Sequence, residues 1–209
     1  MAIPGREQFR SAVLRYVEVP GARFFQAIGL TPNVITLLGF SISVGAAYLV
    51  GSGWLLAGGV VFLVGGGLDL FDGALARLSG KASPFGALLD SVFDRLGEAS
   101  LFVGLAVYGL RAGFTEGFLL FFITTLLLAL IFSQGVSYLR ARGEGLGVFT
   151  RDGVMTRPER VVILGAGLII DSLVGFPFMV WVLLLIVVVS CFTLFQRMFT
   201  IRNMLDRGG

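Results

Sequence analysis

The sequence contains no histidine and only one cysteine among its 209 residues. The absence of histidine excludes an imidazole nucleophile. The single thiol, Cys191, lies within a long apolar run, where a catalytic cysteine is not expected. If the chain carries out chemistry, the carboxylates are the groups to examine first.

Charged side chains are scarce as well. Only 14% of the residues are charged and 56% are hydrophobic, and the mean hydropathy is +0.92. A water-soluble domain of this size would need more polar residues to cover its surface. The composition therefore predicts an integral membrane protein.

The apolar residues form continuous runs rather than alternating with polar ones, which argues against a transmembrane β-barrel. A hydrocarbon core of roughly 30 Å needs about 20 apolar residues per helix. The sequence predicts a single all-α membrane domain over 1–209, with a six-helix bundle over 33–196. Its predicted transmembrane helices are 33–51, 54–77, 85–110, 115–139, 159–174 and 176–196.

The first 30 residues are expected to lie on the membrane surface rather than to form a signal peptide, because they are charged and lack an apolar core before a cleavage site. An amphipathic juxtamembrane helix is predicted within 1–30. Its apolar face would carry Phe9, Val13, Leu14 and Val17, and its other faces Arg6, Arg10 and Arg15.

Basic residues are concentrated in alternate connections between the predicted spans. The connections at 51–53, at 111–117 and around Asp171 contain only Arg111 as a basic residue. The positive-inside rule therefore predicts a multi-pass protein of the cell membrane with both termini, including a tail over 197–209, in the cytoplasm. The residues on the predicted cytoplasmic side are Arg6, Arg10, Arg15, Arg23, Arg77, Lys81, Arg140, Arg142, Arg151, Arg157, Arg160, Arg197, Arg202 and Arg207.

Four aspartates interrupt the apolar sequence in "GLDLFDGALARLSGKASPFGALLDSVFDRLGEA", residues 67–99. At about 100° per residue, Asp69 and Asp72 are about 60° apart around one helix. Asp90 and Asp94 are about 40° apart around the next. A helical hairpin through "SGKASPFG" would bring both pairs to one site, on the predicted cytoplasmic side.

Carboxylates this close would repel one another strongly in a medium of low dielectric. One acid at a helix end usually has a capping role, but four acids within membrane spans are costly and usually functional. An all-carboxylate set favours hard cations such as Mg²⁺, Mn²⁺ or Ca²⁺, which often act on phosphates. Gly73 and Gly86 would let a bulky ligand approach the backbone.

The segment "DLFDGALARLSGKASPFGALLDSVFD" resembles the signature of the CDP-alcohol phosphotransferase family, D-x-x-D-G-x-x-A-R-x8-G-x3-D-x3-D. Every fixed position matches: Asp69, Asp72, Gly73, Ala76, Arg77, Gly86, Asp90 and Asp94. The resemblance implies that an acceptor hydroxyl attacks the β-phosphorus of a CDP-linked lipid and that CMP leaves. It also implies a homodimer.

The resemblance assigns roles to these positions. Two divalent ions, Mg²⁺ or Mn²⁺, are expected on Asp69, Asp72, Asp90 and Asp94, and Asp94 is also the expected general base. The expected nucleotide-binding residues are Gly73, Ala76, Arg77, Asn33 and Thr36. Asn33 could instead simply lie at the start of the first span, near a helix N-cap.

A basic segment is the candidate site for the phosphate of the acceptor, because guanidinium groups pair bidentately with phosphate oxygens. The candidate residues are Ser137, Arg140, Arg142, Arg157 and Arg160. Any one of these arginines could equally serve topology or contact anionic headgroups.

"SYLRARGEGLG", "RPER" and "FGALLDSVFDR" are similar to the family members that join CDP-diacylglycerol to inositol 1-phosphate, the prokaryotic phosphatidylinositol phosphate synthases. Archaeal members that use CDP-archaeol share these features. Phosphatidylglycerophosphate synthases, which use glycerol 3-phosphate, more often read "LDPxADK" where this chain has Ser91 and Arg95.

Other classes fit less well. A cation transporter could also use intramembrane acids, but no second copy of the acidic segment is present. A scaffold would not need converging carboxylates. Nucleic acid is not an expected partner despite a pI near 9.5, because the basic residues are spread along one membrane face, where membrane lipids are the expected contact.

Overall fold

The computed structural model describes residues 18–149 and 153–208, and within these ranges the protein is all-helical. The predicted all-α fold is confirmed, and each predicted span overlaps one of the helices α2 to α7. The helices are α1 Val19–Ala27, α2 Pro32–Gly51, α3 Leu55–Leu78, α4 Pro84–Arg111, α5 Glu116–Gly145, α6 Arg157–Val174 and α7 Met179–Gly208.

Four of the described helices, α2, α3, α5 and α7, are long and apolar enough to cross a membrane. Together with its composition, this makes the chain a membrane protein. The third and fifth predicted spans correspond to α4 and α6, in which a larger fraction of the residues is charged. In α6 the charged residues are Arg157, Glu159, Arg160 and Asp171.

The predicted amphipathic helix falls largely outside the described residues, because its apolar positions and its three arginines all precede residue 18. The described part of the segment forms α1. It buries Ala22 and packs Phe25 against Phe71 of α3, with 5.4 Å between ring centroids. Arg151 and the side chain of Arg207 also lie outside the described part of the chain.

The chain divides into two compact units. The first contains described residues 18–43 and 64–97, and the second contains 44–63 and 98–208. A small core of Ala22, Ile35, Ala74 and Leu75 lies in the first unit. The single domain over 1–209 stays a prediction.

A tight turn in the first unit joins the two acidic helices, α3 and α4. Gly80 takes a left-handed conformation with φ of 66°, which a residue with a side chain adopts only at a cost. Ser83 caps α4, since its hydroxyl accepts a hydrogen bond of 3.0 Å from the Gly86 amide, and Pro84 fits the first helical position. The predicted hairpin is therefore present.

The second unit has the larger core, in which α5 and α7 pack against each other. Helix α7 continues beyond residue 196, where a separate tail was expected, to Gly208. Arg197 is buried, and its Nη1 donates to the Val136 carbonyl at 2.8 Å. Asp171, which the sequence placed both near a connection and within the predicted span 159–174, lies in α6 and accepts a hydrogen bond of 2.6 Å from the Met179 amide. Its carboxylate thereby caps the start of α7.

Candidate active site

The acidic helices and the start of α2 enclose a cavity of about 230 Å³ within the first unit. Its lining includes most of the metal and nucleotide residues predicted from the sequence. Those that line it are Asn33, Thr36, Asp72, Gly73, Ala76, Arg77, Gly86 and Asp90, together with Pro32, Lys81, Ala82, Ser83 and Ala87.

Asp72 is the most deeply placed acid of the cavity, with only 6% of its surface exposed. The Thr36 hydroxyl donates to its Oδ2 at 2.9 Å, and the Gly73 amide donates to its Oδ1. The charges of Asp90 and Asp69 both act on it. A buried carboxylate with neutral donors and other acids nearby is stabilised by a cation.

Asp69 and Asp94, by contrast, are not among the residues that line this cavity. Both are half-buried. Asp69 lies against α2, where its Oδ1 is 3.2 Å from the position that a β-carbon on Gly39 would take. Asp94 follows Asp90 by about one turn of α4.

No group of three or more acidic or cysteine side chains in the described ranges is arranged to hold a metal ion. The donor set nevertheless fits a hard divalent cation. Mg²⁺ is usually bound by one or two carboxylates, with waters and substrate phosphates completing its shell. Asp72 and Asp90 line one cavity and supply that number of carboxylates.

The cavity is open beside Gly73. Among the residues that the structure describes, a β-carbon there would meet only Nη1 of Arg77, at 3.5 Å, an ordinary contact distance. The exposed Arg77 guanidinium also lies 3.6 Å from the Glu18 carboxylate at the start of α1. At Gly86 a β-carbon would lie 3.2 Å from Ser83 Oγ and 3.3 Å from Asn33 Oδ1, so space is tighter there.

In the second unit, Arg160 is completely buried and forms a bidentate ion pair with Glu98. Its Nε donates to Oε1 at 2.6 Å and its Nη2 to Oε2 at 2.8 Å. The same Nη2 is 3.1 Å from the Ser137 hydroxyl oxygen. Glu98 thus occupies the donor edge that a phosphate would use.

The other arginines of the basic segment are more accessible. Arg140 is exposed and pairs with Glu144 at 3.0 Å. Arg142 is exposed, and Arg157 is half-buried at the first position of α6. Thr156 and Glu159 form a capping box that sets where α6 begins. The predicted acceptor residues therefore occupy unlike environments.

Residues 29–152 match the family model described as CDP-alcohol phosphatidyltransferase. This range contains every residue that lines the cavity. The chain belongs to the CDP-alcohol phosphatidyltransferase family. The matched range includes the four aspartates of α3 and α4.

Relatives within the family cover most of the chain. It is 36% identical over 199 residues to the phosphatidylinositol phosphate synthase of Mycobacterium marinum, covering 92% of this chain and 82% of that protein. It is 35% identical over 191 residues to the archaetidylinositol phosphate synthase of Methanothermobacter thermautotrophicus, covering 91% of each.

A solved structure of another relative, the phosphatidylinositol phosphate synthase of Mycobacterium tuberculosis with CDP-DAG bound, has a TM-score of 0.77 and 33% identity and covers 88% of this chain and 93% of that one. The same enzyme solved with manganese and citrate has a TM-score of 0.77 and 33% identity and covers 88% of both chains.

Several residues around this family's motif were not predicted from the sequence. Ser83 could have been, because a serine before a proline is a common helix start. Glu98 lies in the acidic stretch, but its partner Arg160 is 62 positions away, and no local pattern indicates the pairing. No spacing pattern in the sequence predicts the pairing of Glu18 with Arg77 either.

Proposed function

We propose that the protein transfers the phosphatidyl group of CDP-diacylglycerol to inositol 1-phosphate, forming phosphatidylinositol phosphate and CMP. The observation that carries this proposal is the cavity lined by Asp72, Asp90 and Arg77, in a chain 36% identical to a phosphatidylinositol phosphate synthase. The similar archaetidylinositol phosphate synthase makes CDP-archaeol the second candidate donor.

In the proposed reaction, an acceptor hydroxyl oxygen forms a bond to the β-phosphorus of the CDP-lipid. The bond from that phosphorus to the oxygen of CMP breaks, and CMP leaves with the electron pair. The Asp94 carboxylate takes the hydroxyl proton as general base. Product release then returns that proton to solvent.

We infer that a divalent cation, Mg²⁺ or Mn²⁺, is required and that two ions bind. The protein residues that would hold them are Asp69, Asp72, Asp90 and Asp94. When bound, the metal supplies positive charge to the pyrophosphate and to the departing CMP. Support comes from the buried Asp72 beside Asp90 and from the relative solved with manganese.

The nucleotide is proposed to bind where the helix backbone is least covered. Gly73 and Ala76 leave space beside α3, and Gly86 keeps a side chain out of the tighter space at the start of α4. Arg77 supplies a cation at the cavity, and Asn33 and Thr36 contribute from α2. The Thr36 hydroxyl also orients Asp72.

The acceptor phosphate is proposed to bind the basic segment of α5 and α6. The accessible Arg140, Arg142 and Arg157 are the direct ligands in this proposal. Ser137 and Arg160 belong to the set as supporting residues rather than direct ligands, because Glu98 holds the donor edge of Arg160 and Arg160 contacts the Ser137 hydroxyl. This division of roles follows the exposure of the side chains, because Arg140 and Arg142 are exposed whereas Arg160 is buried.

We propose six membrane spans, α2 to α7, with both termini and the active site in the cytoplasm. The lopsided distribution of basic residues supports this topology. Pairing of Glu98 with Arg160 lowers the cost of charge within α4 and α6. A homodimer is proposed from the family resemblance, and particle mass in detergent tests it.

CMP release by the purified protein tests the function. CDP-diacylglycerol and Mg²⁺ are supplied with inositol 1-phosphate, glycerol 3-phosphate, serine or free inositol, each in a separate reaction. Release with inositol 1-phosphate alone is expected. A parallel series with CDP-archaeol distinguishes the two donors.

Each other outcome has a definite meaning. Release with glycerol 3-phosphate would make the protein a phosphatidylglycerophosphate synthase and discard the proposed acceptor. Metal-dependent release with no acceptor present would indicate a hydrolase. Absence of release with every donor and acceptor would overturn the transfer reaction and favour a transporter.

A further inference from the structure

A second cavity, of about 380 Å³, forms a groove within the second unit between residues 44–51 of α2, with Ser52 just beyond them, and residues 100–111 of α4. Its volume is within the range of sites for small organic ligands. Val44, Val103 and Val107 make much of its lining apolar. Because 63% of the Val103 surface is exposed, the groove is open to the surroundings of the helices.

The groove has a closed floor, because α2 and α4 touch along it. A β-carbon on Gly104 would lie 2.3 Å from the carbonyl oxygen of Ala47, so only glycine permits this approach. A ligand can therefore lie along the groove but cannot pass between the helices. This shape suits a long, thin apolar chain.

The length of the groove matches one leaflet of a bilayer. At a rise of 1.5 Å per residue, the lining segment of α2 is about 12 Å long and that of α4 about 18 Å long. Half of a hydrocarbon core of roughly 30 Å is about 15 Å. An acyl chain of one leaflet would therefore lie along the whole groove.

One end of the groove is cationic. Arg111, the last residue of α4, is exposed and donates from Nη1 to the carbonyl of Gly51, the last residue of α2, at 3.2 Å. A guanidinium has five N–H donors, so this contact is compatible with a phosphate on the same group. Ser52 adds a hydroxyl at this end. Arg111 is also the exception to the lopsided distribution of basic residues.

We propose that this groove binds one anionic phospholipid, with its phosphate at Arg111 and one acyl chain between α2 and α4. An apolar groove of leaflet depth that ends in an arginine has the chemistry of such a lipid. In the proposed topology the lipid belongs to the non-cytoplasmic leaflet. The groove shares no lining residue with the acidic cavity, and this proposal does not depend on the transfer reaction.

Native mass spectrometry of the full chain tests the proposal, with palmitoyl-oleoyl phosphatidylglycerol and the corresponding phosphatidylcholine as probes. The wild type should retain the anionic lipid preferentially. Arg111→Gln should reduce that adduct about fivefold, as expected for one arginine near an anionic headgroup, whereas Arg111→Lys keeps the preference.

Val103→Trp fills the groove and should remove the adduct with both lipids. Leu110→Trp, on an exposed position of α4 outside the lining, is the control.

Two results would overturn the proposal. An unchanged preference in Arg111→Gln would mean that Arg111 only caps α2. If Val103→Trp halved the particle mass while the lipid adduct stayed intact, a second copy of the chain would fill the groove instead. Arg111→Gln and Arg111→Lys decide the matter even where Val103→Trp fails to fold.

Discussion

The acidic turn between α3 and α4 and the basic segment of α5 and α6 both introduce charge into an apolar chain, in different ways. Asp72 is buried with neutral donors and shares its cavity with another acid, Asp90. Arg160 is buried against Glu98, which matches its charge and its bidentate geometry. The first arrangement favours a further cation beside the buried Asp72, because the cavity's own basic residues, Arg77 and Lys81, are exposed, and the second is neutralised within the chain.

This difference separates a ligand site from a structural contact. Asp72 and Asp90 line a cavity together with the exposed Arg77 and Lys81, and Arg77 also pairs with Glu18, so the two acids are stabilised further when a cation binds beside them. A buried pair of opposite charges matters to stability mainly because removal of one partner leaves the other charge buried and unpaired. Substitutions in the first region should therefore affect activity, and substitutions of Glu98 should affect stability.

The largest effect is expected at Asp90. Asp90→Asn removes a charge from the acidic cavity and should lower kcat/KM for CMP release by about 10³-fold, as expected when preorganised electrostatic stabilisation is lost. The thermal unfolding temperature should stay close to that of the wild type. Asp206→Asn, which removes an exposed acid that pairs with Arg202, is the control. Equal activity in the two variants would contradict the metal-site assignment.

The second effect concerns stability. Glu98→Gln leaves Arg160 as an unpaired buried charge and should lower the free energy of unfolding by about 3 kcal/mol. Denaturant unfolding in detergent measures this. The exposed Glu144→Gln should change it by less than about 0.5 kcal/mol. The pair would not be structural if Glu98→Gln kept wild-type stability. Glu98→Leu with Arg160→Met should recover most of the loss.

The third effect sharpens the comparison within the basic segment. Arg142 is exposed, so Arg142→Gln should leave stability unchanged. It should raise the KM for inositol 1-phosphate about 20-fold, the usual cost of one charge-assisted hydrogen bond. The KM for the CDP-lipid should not change. Arg202→Gln, on α7, is the control. Equal changes in both KM values would argue against a specific acceptor site.

The smallest effect is expected at Gly73. Within the described part of the chain a methyl group there meets only Nη1 of Arg77, at an ordinary 3.5 Å, so Gly73→Ala should fold normally. Because the added group narrows the cavity, the KM for the CDP-lipid should rise about fivefold, within the cost of mild crowding. Gly67→Ala is the matched control, because no described side chain or neighbouring helix comes within 4 Å of a β-carbon there. The same KM in both variants would place the nucleotide elsewhere.

The sequence predicted the acidic region well because its geometry is local. Helical periodicity places Asp72 and Gly73 on α3, and a short turn returns the chain to Asp90. Most of the motif accordingly lines one cavity. The helix positions were predictable for the same reason, since long apolar runs mark α2, α3, α5 and α7.

The sequence could not predict which basic residues are buried and which are exposed, because burial depends on partners distant in the chain. Arg160 and Arg142 read alike in the sequence, yet one is enclosed by a glutamate 62 positions away and the other is exposed. Arg197 was expected in a tail and is buried against Val136. Asp69 and Asp94 fit the spacing but do not line the cavity.

The central claim is metal-dependent transfer at the acidic cavity. The amounts of CMP and lipid product formed with and without metal test it most directly. The protein is treated with a chelator and supplied with CDP-diacylglycerol and inositol 1-phosphate. CMP and the lipid product are then quantified before and after Mg²⁺ is added. Transfer at the acidic cavity predicts no turnover without metal and equimolar CMP and phosphatidylinositol phosphate with it. Turnover without metal, or CMP formed without the lipid product, would contradict the account.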